Sequence, residues 1–260
     1  MISAKHAFFH SAKVQMLLSI ARPMFQFIVW VMPLFTATLT YSIYGGQSPE
    51  RIFQYAVLGS GFMGLWSSIV FSSASDLTRE RYYGTLESIF ISPTSFSIIL
   101  MGKVFDNTIW GIVSMVMAFF YLKLFFGIQL PSLSVPQLIA TLVIVIFAIC
   151  VFAFLLALLF TLTKYANTIM NVIECPIFLL CGFVFPISIL PSWLSWISYI
   201  LPPTWAIEAL RNVTGVMTIF SYKEALLGLS FVTLLYILIS VAIYNVVDKK
   251  ARQSGQLGVL

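Results

Sequence analysis

LIATLVIVIFAICVFAFLLALLFTL, residues 138–162, runs for twenty-five residues without one ionisable side chain. A bilayer core is about 30 Å thick, and a helix rising 1.5 Å per residue crosses it in about 20 residues. Backbone amides in lipid must pair within their own segment, so such a run is read as a helix. Five more apolar runs accompany it, and the spacing predicts six transmembrane helices at roughly 24–44, 53–75, 98–122, 138–162, 167–186 and 224–247. The expected fold is an all-α polytopic membrane protein.

Composition closes off other classes. Hydrophobic residues make up 60% of the chain and charged residues 9%, against about 25% charged in a soluble domain. The stretches between the runs are too short for a core of their own, so residues 1–260 are read as one membrane domain. The net charge of +5 is spread over loops and ends, which fits loop positioning and not a nucleic-acid stripe. Cys150, Cys175 and Cys181 lie inside apolar runs, with no disulfide or metal spacing. The first run is followed by no small-residue cleavage pattern and is read as a retained span.

With the N-terminus inside, ten Lys and Arg fall on the cytoplasmic side and Arg51, Lys123, Arg211 and Lys223 outside. That asymmetry, with an even span count, places both termini in the cytoplasm of a multi-pass cell-membrane protein. Residues 1–23 precede the first span. Phe9, Met16 and Ile20 share one stripe there beside His6, His10 and Lys13, which predicts an amphipathic helix on the membrane surface; a disordered basic leader is the alternative. Residues 76–97 form the one sizeable cytoplasmic loop. Gly84 permits a break and Pro93 a stop, and Leu86, Ile89 and Phe90 between them form the apolar face of a short helix that needs cover. Between spans five and six, residues 187–212 hold Pro191, Pro202-Pro203, Trp193, Trp196 and Trp205, read as two short helices at the outer interface, with Thr204 as an N-cap.

Three patterns carry a family resemblance: Arg79-Glu80-Arg81-x-x-Gly84-Thr85-Leu86-Glu87, Phe185-Pro186 with Leu190-Pro191, and Pro202-Pro203-Thr204 leading to Glu208 and Arg211. In this order and topology the chain resembles the membrane subunit of ABC exporters of the second type, the family that includes the membrane half of human G-subfamily transporters. The resemblance implies a coupling helix after span two, docked on a separate ATPase through Arg79, Glu80, Arg81, Gly84, Leu86, Glu87, Ile89 and Phe90. It implies two ATPase subunits that bind ATP and Mg, a second copy of this chain or a related permease, and short re-entrant helices at the outer end built around Trp193, Trp196, Glu208 and Arg211. Asn171, Glu174, Phe185 and Pro186 are expected along the path or its gate.

Read as single residues, these positions keep alternatives. Glu174 sits in the middle of a run, where charge is costly and faces a bundle interior or water; a gating group and an interhelical hydrogen bond both fit. Lys103 either pairs with Asp106 along its helix or, by preference, snorkels to the inner surface. Glu208 and Arg211, three apart, make a structural pair. Gly59, Gly61 and Gly64 permit close helix approach. No phosphate loop follows from Gly102-Lys103-Val104, and no serine has a histidine neighbour to act as base, so no catalytic or metal residue is expected and no cofactor in this chain. The preferred function is an ATP-driven permease for a lipophilic molecule such as a drug, antibiotic or lipid. Export of a lipid-linked polysaccharide is the alternative. A channel or secondary transporter would show more buried ionisable groups and internal repeats.

Overall fold

The computed structural model describes residues 4–92, 94–128, 134–163, 165–214 and 218–254, which form helices and the turns between them. In chain order these are α1 (Ala4–Ile20), α2 (Pro23–Tyr44), α3 (Pro49–Tyr82), α4 (Thr85–Ile91), α5 (Phe96–Phe126), α6 (Val135–Phe160), α7 (Ala166–Leu180), α8 (Ser192–Ile200), α9 (Pro202–Val213) and α10 (Tyr222–Ser254). Among the described residues five helices, and not six, are long and apolar enough to cross a membrane: α2, α3, α5, α6 and α10.

The expected fifth span at 167–186 is α7, which has 15 residues. At 1.5 Å per residue it is about 22 Å long, short of the ~30 Å core. Pro176 lies inside it, and Gly182 at φ 76° turns the chain just beyond its end. The even-count argument for the termini falls with that span. A geometric fact stands in its place: Ser11 of α1 donates to the Ile99 carbonyl near the start of α5, and Tyr244 of α10 bonds Ser95 at the same place. The N-terminal helix and the far part of α10 therefore share one end of the bundle.

Prolines and glycines set the element ends. Pro23, Pro49, Pro136 and Pro202 occupy first-turn positions, where a missing N–H costs nothing. Gly127 at φ 63° closes α5 in the left-handed conformation, which only glycine adopts at little cost. Ser221 and Glu224 form a reciprocal capping box at the start of α10. In α2 the helix is interrupted at Val31, ahead of Pro33, whose ring cannot continue the hydrogen-bond ladder.

The centre of the bundle is α3. Of its most apolar 18-residue stretch 94% is buried, against 22–44% for the other four long helices. It packs on α2, α5, α6, α7 and α9. The predicted close approach of the glycines is present: Gly61 and Gly64 lie against Met115 and Ser114 of α5, and Gly59 against the Phe183 carbonyl. Two stretches of α3, Ile52–Gly59 and Ser67–Phe71, are wound as π-helix. Outward faces of the other spans carry Phe35, Leu39, Phe120, Val143, Phe231 and Leu238, exposed as lipid contact requires.

Three further expectations are corrected here. Among the described residues nothing marks a coupling helix: α4 has seven residues, its Leu86 is fully buried in the bundle core and Ile89 is packed against it, so these two apolar residues are already covered. The side chains of Glu87 and Phe90, and all of Pro93, lie outside the described residues. Nothing marks re-entrant helices either. α8 leaves Trp193 and Trp196 on the surface, whereas α9 is buried between α6 and α10 as an ordinary bundle element. It starts at Pro202, with Leu201 and not Thr204 at the cap position.

Gly59→Ala places a methyl group against a backbone carbonyl that cannot yield. It should cost about 1–3 kcal/mol, as overpacking does, read as a lower unfolding midpoint in detergent, while Gly46→Ala, with open space around it, should leave the midpoint unchanged.

Candidate functional site

Residues 76–82, assigned to a loop from the sequence, are the last turns of α3. This places Asp76 inside the bundle at 1% exposure. Four side chains donate to it. Gln15 Nε2 of α1 (2.6 Å) and Asn107 Nδ2 of α5 (3.0 Å) reach Oδ2, and Arg22 (2.8 Å) and Arg79 (3.3 Å) reach Oδ1. Beside it, Ser19 of α1 donates to Asp106 of α5 at 2.9 Å, and a second Arg22 nitrogen donates to Ser19 at 3.0 Å. Burial lowers the Arg22 pKa, and Asp76 pulls it back up; a guanidinium stays charged under both.

The network extends along the same end of α3. Lys103 of α5 pairs with Glu80, which also accepts from Thr85. Lys103 therefore neither snorkels nor pairs with Asp106. Arg81 donates to the carbonyls of Thr161 (2.7 Å) and Thr163, tying α3 to the end of α6. The Glu80–Lys103 pair lines a cavity of about 430 Å³ together with Ala7, His10, Ile89 and Thr94, between α1, α4 and α5.

The helix α1 reaches this network through a polar stripe. Ser11, Gln15 and Ser19 stand four apart and face the bundle, whereas Phe9, Val14, Met16, Leu17 and Ile20 face outward. Its polar stripe faces the protein and its apolar residues face outward, the reverse of a soluble helix. Gly102 of α5 lies against the Phe8 carbonyl and Ser11, so the two backbones come close.

A second charged cluster lies about 30 Å away, by 1.5 Å per residue along α3. Arg211 of α9, at 2% exposure, faces Glu208 at 3.8 Å, donates to the Gly182 carbonyl at 2.6 Å and stacks 4.3 Å over the Tyr55 ring. Tyr55 stacks on Tyr44, whose hydroxyl donates to the Val184 carbonyl. The expected Glu208–Arg211 pair is thus present, inside a larger cage. Phe185 and Pro186 follow this turn, half-buried.

The path candidates divide. Glu174 is half-buried and accepts a hydrogen bond from Ser67, in the second π-helical stretch of α3. Asn171, one turn earlier, is exposed. Sequence reasoning did not join Gln15, Ser19, Arg22, Asp76 and Asn107. The available signal was the i, i+4, i+8 polar spacing in α1 beside lone polar residues in apolar runs.

The profile of the family described as "ABC-2 type transporter" matches residues 6–214. The chain belongs to the ABC-2 type transporter family. The matched region holds both charged clusters and ends before α10. "Putative transport permease ycf38" of Cyanophora paradoxa is 29% identical over 167 residues, covering 62% of this chain and 55% of that protein; the chain thus spans little more than half the length of that relative. An ABC-2 permease is a multi-pass transport component without catalytic residues of its own. Among the described residues no group of three or more His, Cys, Asp or Glu side chains is placed to hold a metal ion.

Asp76→Asn leaves two guanidiniums over a neutral amide. Breaking a buried ion pair in this way costs about 3–5 kcal/mol, which should shift the unfolding midpoint of the purified protein strongly, whereas exposed Glu50→Gln should stay within about 0.5 kcal/mol.

Proposed function

We propose that this ABC-2 permease is the membrane subunit of an ATP-driven exporter, working with a separate ATPase and a second permease copy or a related chain. The observation that carries the reading is the fixed end of the bundle. Asp76, Glu80 and Arg81 clamp α1, α3, α5 and the end of α6 into one body. A force applied to the short segment after α3 would therefore reach several spans together. Arg22, Arg79, Arg81 and Lys103 gather at the end shared by α1 and the far part of α10, which supports reading it as the cytoplasmic face, with both termini on that side.

The ATPase contact we favour uses the exposed rim of this segment. Tyr82 (84%), Tyr83 (68%) and Ile91 (83%) stand free of the bundle. Tyr82 and Tyr83 pack edge to face, and exposed tyrosines and an isoleucine flanking one short segment have the composition of a contact core. Leu86 instead anchors the segment from beneath. For the path, Asn171 and Glu174 remain the candidates, because an exposed asparagine on an apolar helix suits water or a partner chain better than lipid. The poverty of charge in the spans favours a lipophilic cargo, with a lipid-linked polysaccharide as the second possibility within the same class.

Reconstitution with the cognate ATPase in proteoliposomes tests the proposal. Tyr82→Ala, Tyr83→Ala and Ile91→Asp combined should release the ATPase and abolish ATP-dependent transport without changing the unfolding midpoint. Asn171→Leu should keep the ATPase bound and lower transport. Full transport by the triple variant would remove this contact from the account, and transport by the permease without ATP would remove the exporter reading itself.

A further inference from the structure

A crevice of about 430 Å³ opens between the start of α2, the last turns of α3 and the start of α7. Arg22, Met24, Ser75, Arg79 and Asn167 are among the residues that line it, and among the described residues no acidic side chain does. It adjoins the Asp76 network, but the network does not use up its donors. Arg22 and Arg79 have side chains 22% and 19% exposed, held against the bundle while still open to the crevice. Both rest on the same Asp76 oxygen, and Arg22 also donates to the Leu18 carbonyl and to Ser19, which still leaves each guanidinium, with five N–H donors, some of them unused. Asp106, the other carboxylate near Arg22, is buried at 1% and does not line the crevice. Ser75 donates its hydroxyl to Asn167 Oδ1, so the Asn167 amide keeps its N–H2 side for donation.

The depth of the crevice is set by the two long helices. Pro23 opens the apolar helix α2, and the apolar run of α3 gives way to the polar, charged stretch Ser72–Tyr82. Arg22 and Arg79 therefore stand at the boundary between hydrocarbon and water. From this boundary Met24, 69% exposed, and half-buried Ile28 continue along α2 toward the membrane interior. Donor-rich basic groups at headgroup depth, with an apolar track leading inward from them, match an anionic head carried on acyl chains. Arginine forks suit phosphate oxygens in geometry as well as charge.

We propose that this crevice binds the phosphate of a bilayer phospholipid, with an acyl chain lying along the first turns of α2. A free phosphate ion shares the head chemistry but leaves the apolar track empty. The inference rests on the chain being a multi-pass membrane protein, and not on what it carries or what drives it.

Full-length protein in detergent, stripped of lipid, is mixed with phosphatidylglycerol or with diacylglycerol of the same acyl chains, and bound lipid is counted by native mass spectrometry. Phosphatidylglycerol should be retained over diacylglycerol by on the order of tenfold, and Arg79→Gln should weaken it by roughly fivefold, the usual effect of one basic residue near an anionic headgroup. Excess inorganic phosphate should not displace the lipid. A photoreactive acyl chain on phosphatidylglycerol should label residues 22–28 in the wild-type protein. If Arg79→Gln does not give a monodisperse protein, Arg79→Lys takes its place and should weaken retention by a smaller factor, because it keeps charge and loses the fork. Equal retention of diacylglycerol, displacement by phosphate alone, labelling away from α2, or unchanged binding in the Arg79 variant would each overturn the proposal.

Discussion

A carboxylate at 1% exposure near the end of a membrane-spanning helix must be surrounded by donors or be absent. Asp76 meets that demand with four partners drawn from α1, from the α1–α2 junction, from its own helix and from α5. The rest of this end of the molecule follows from satisfying it. α1 must turn its polar stripe inward, which turns its apolar residues outward. Arg22 must stand at the first residue before α2, and this fixes how the first span enters the membrane. Asn107 must face α3, which sets the rotation of α5 and brings Lys103 to Glu80 one turn below.

The other end has the same logic with a different solution. Arg211 is buried among Glu208, the Gly182 carbonyl and the Tyr55 ring. Because α3 carries Tyr55 near its start and Asp76 near its end, one helix is pinned by a charged cage at each end. One π-helical stretch, Ile52–Gly59, carries Tyr55 of the first cage; between the cages the helix is packed through glycines and holds the second, Ser67–Phe71. Such stretches leave backbone groups off the regular ladder and recur at functional sites. The second of them meets Glu174 through Ser67.

Much of this was readable from the sequence. Apolar runs at 24–44, 53–75, 98–122, 138–162 and 224–247 lie within or overlap the five long helices, because length and absence of charge are local properties. The run at 167–186 overstates the helix for a physical reason: hydropathy does not register that the helix stops at Leu180 and that Gly182 turns the chain just beyond it. The pair Glu208–Arg211 was visible because three residues apart on a helix means adjacent. Asp76 was not recognised, since its partners Gln15, Arg22 and Asn107 lie 61, 54 and 31 residues away. The segment after Gly84 was misjudged in the same way. The cover of Leu86 comes from residues elsewhere in the chain, which local sequence does not reveal.

The central claim is that Asp76 joins α1 and α5 to α3 as one energetic unit. Gln15 and Asn107 touch it from different helices and through the same oxygen. Reversible unfolding in mixed micelles of the wild type, Gln15→Leu, Asn107→Leu and the double variant measures whether the two are coupled. If Asp76 is the shared partner, the second loss strands a charge that the first left partly satisfied, and the double variant should depart from the sum by about 1 kcal/mol or more. Additivity within about 0.3–0.5 kcal/mol, the behaviour of independent sites, would contradict the account.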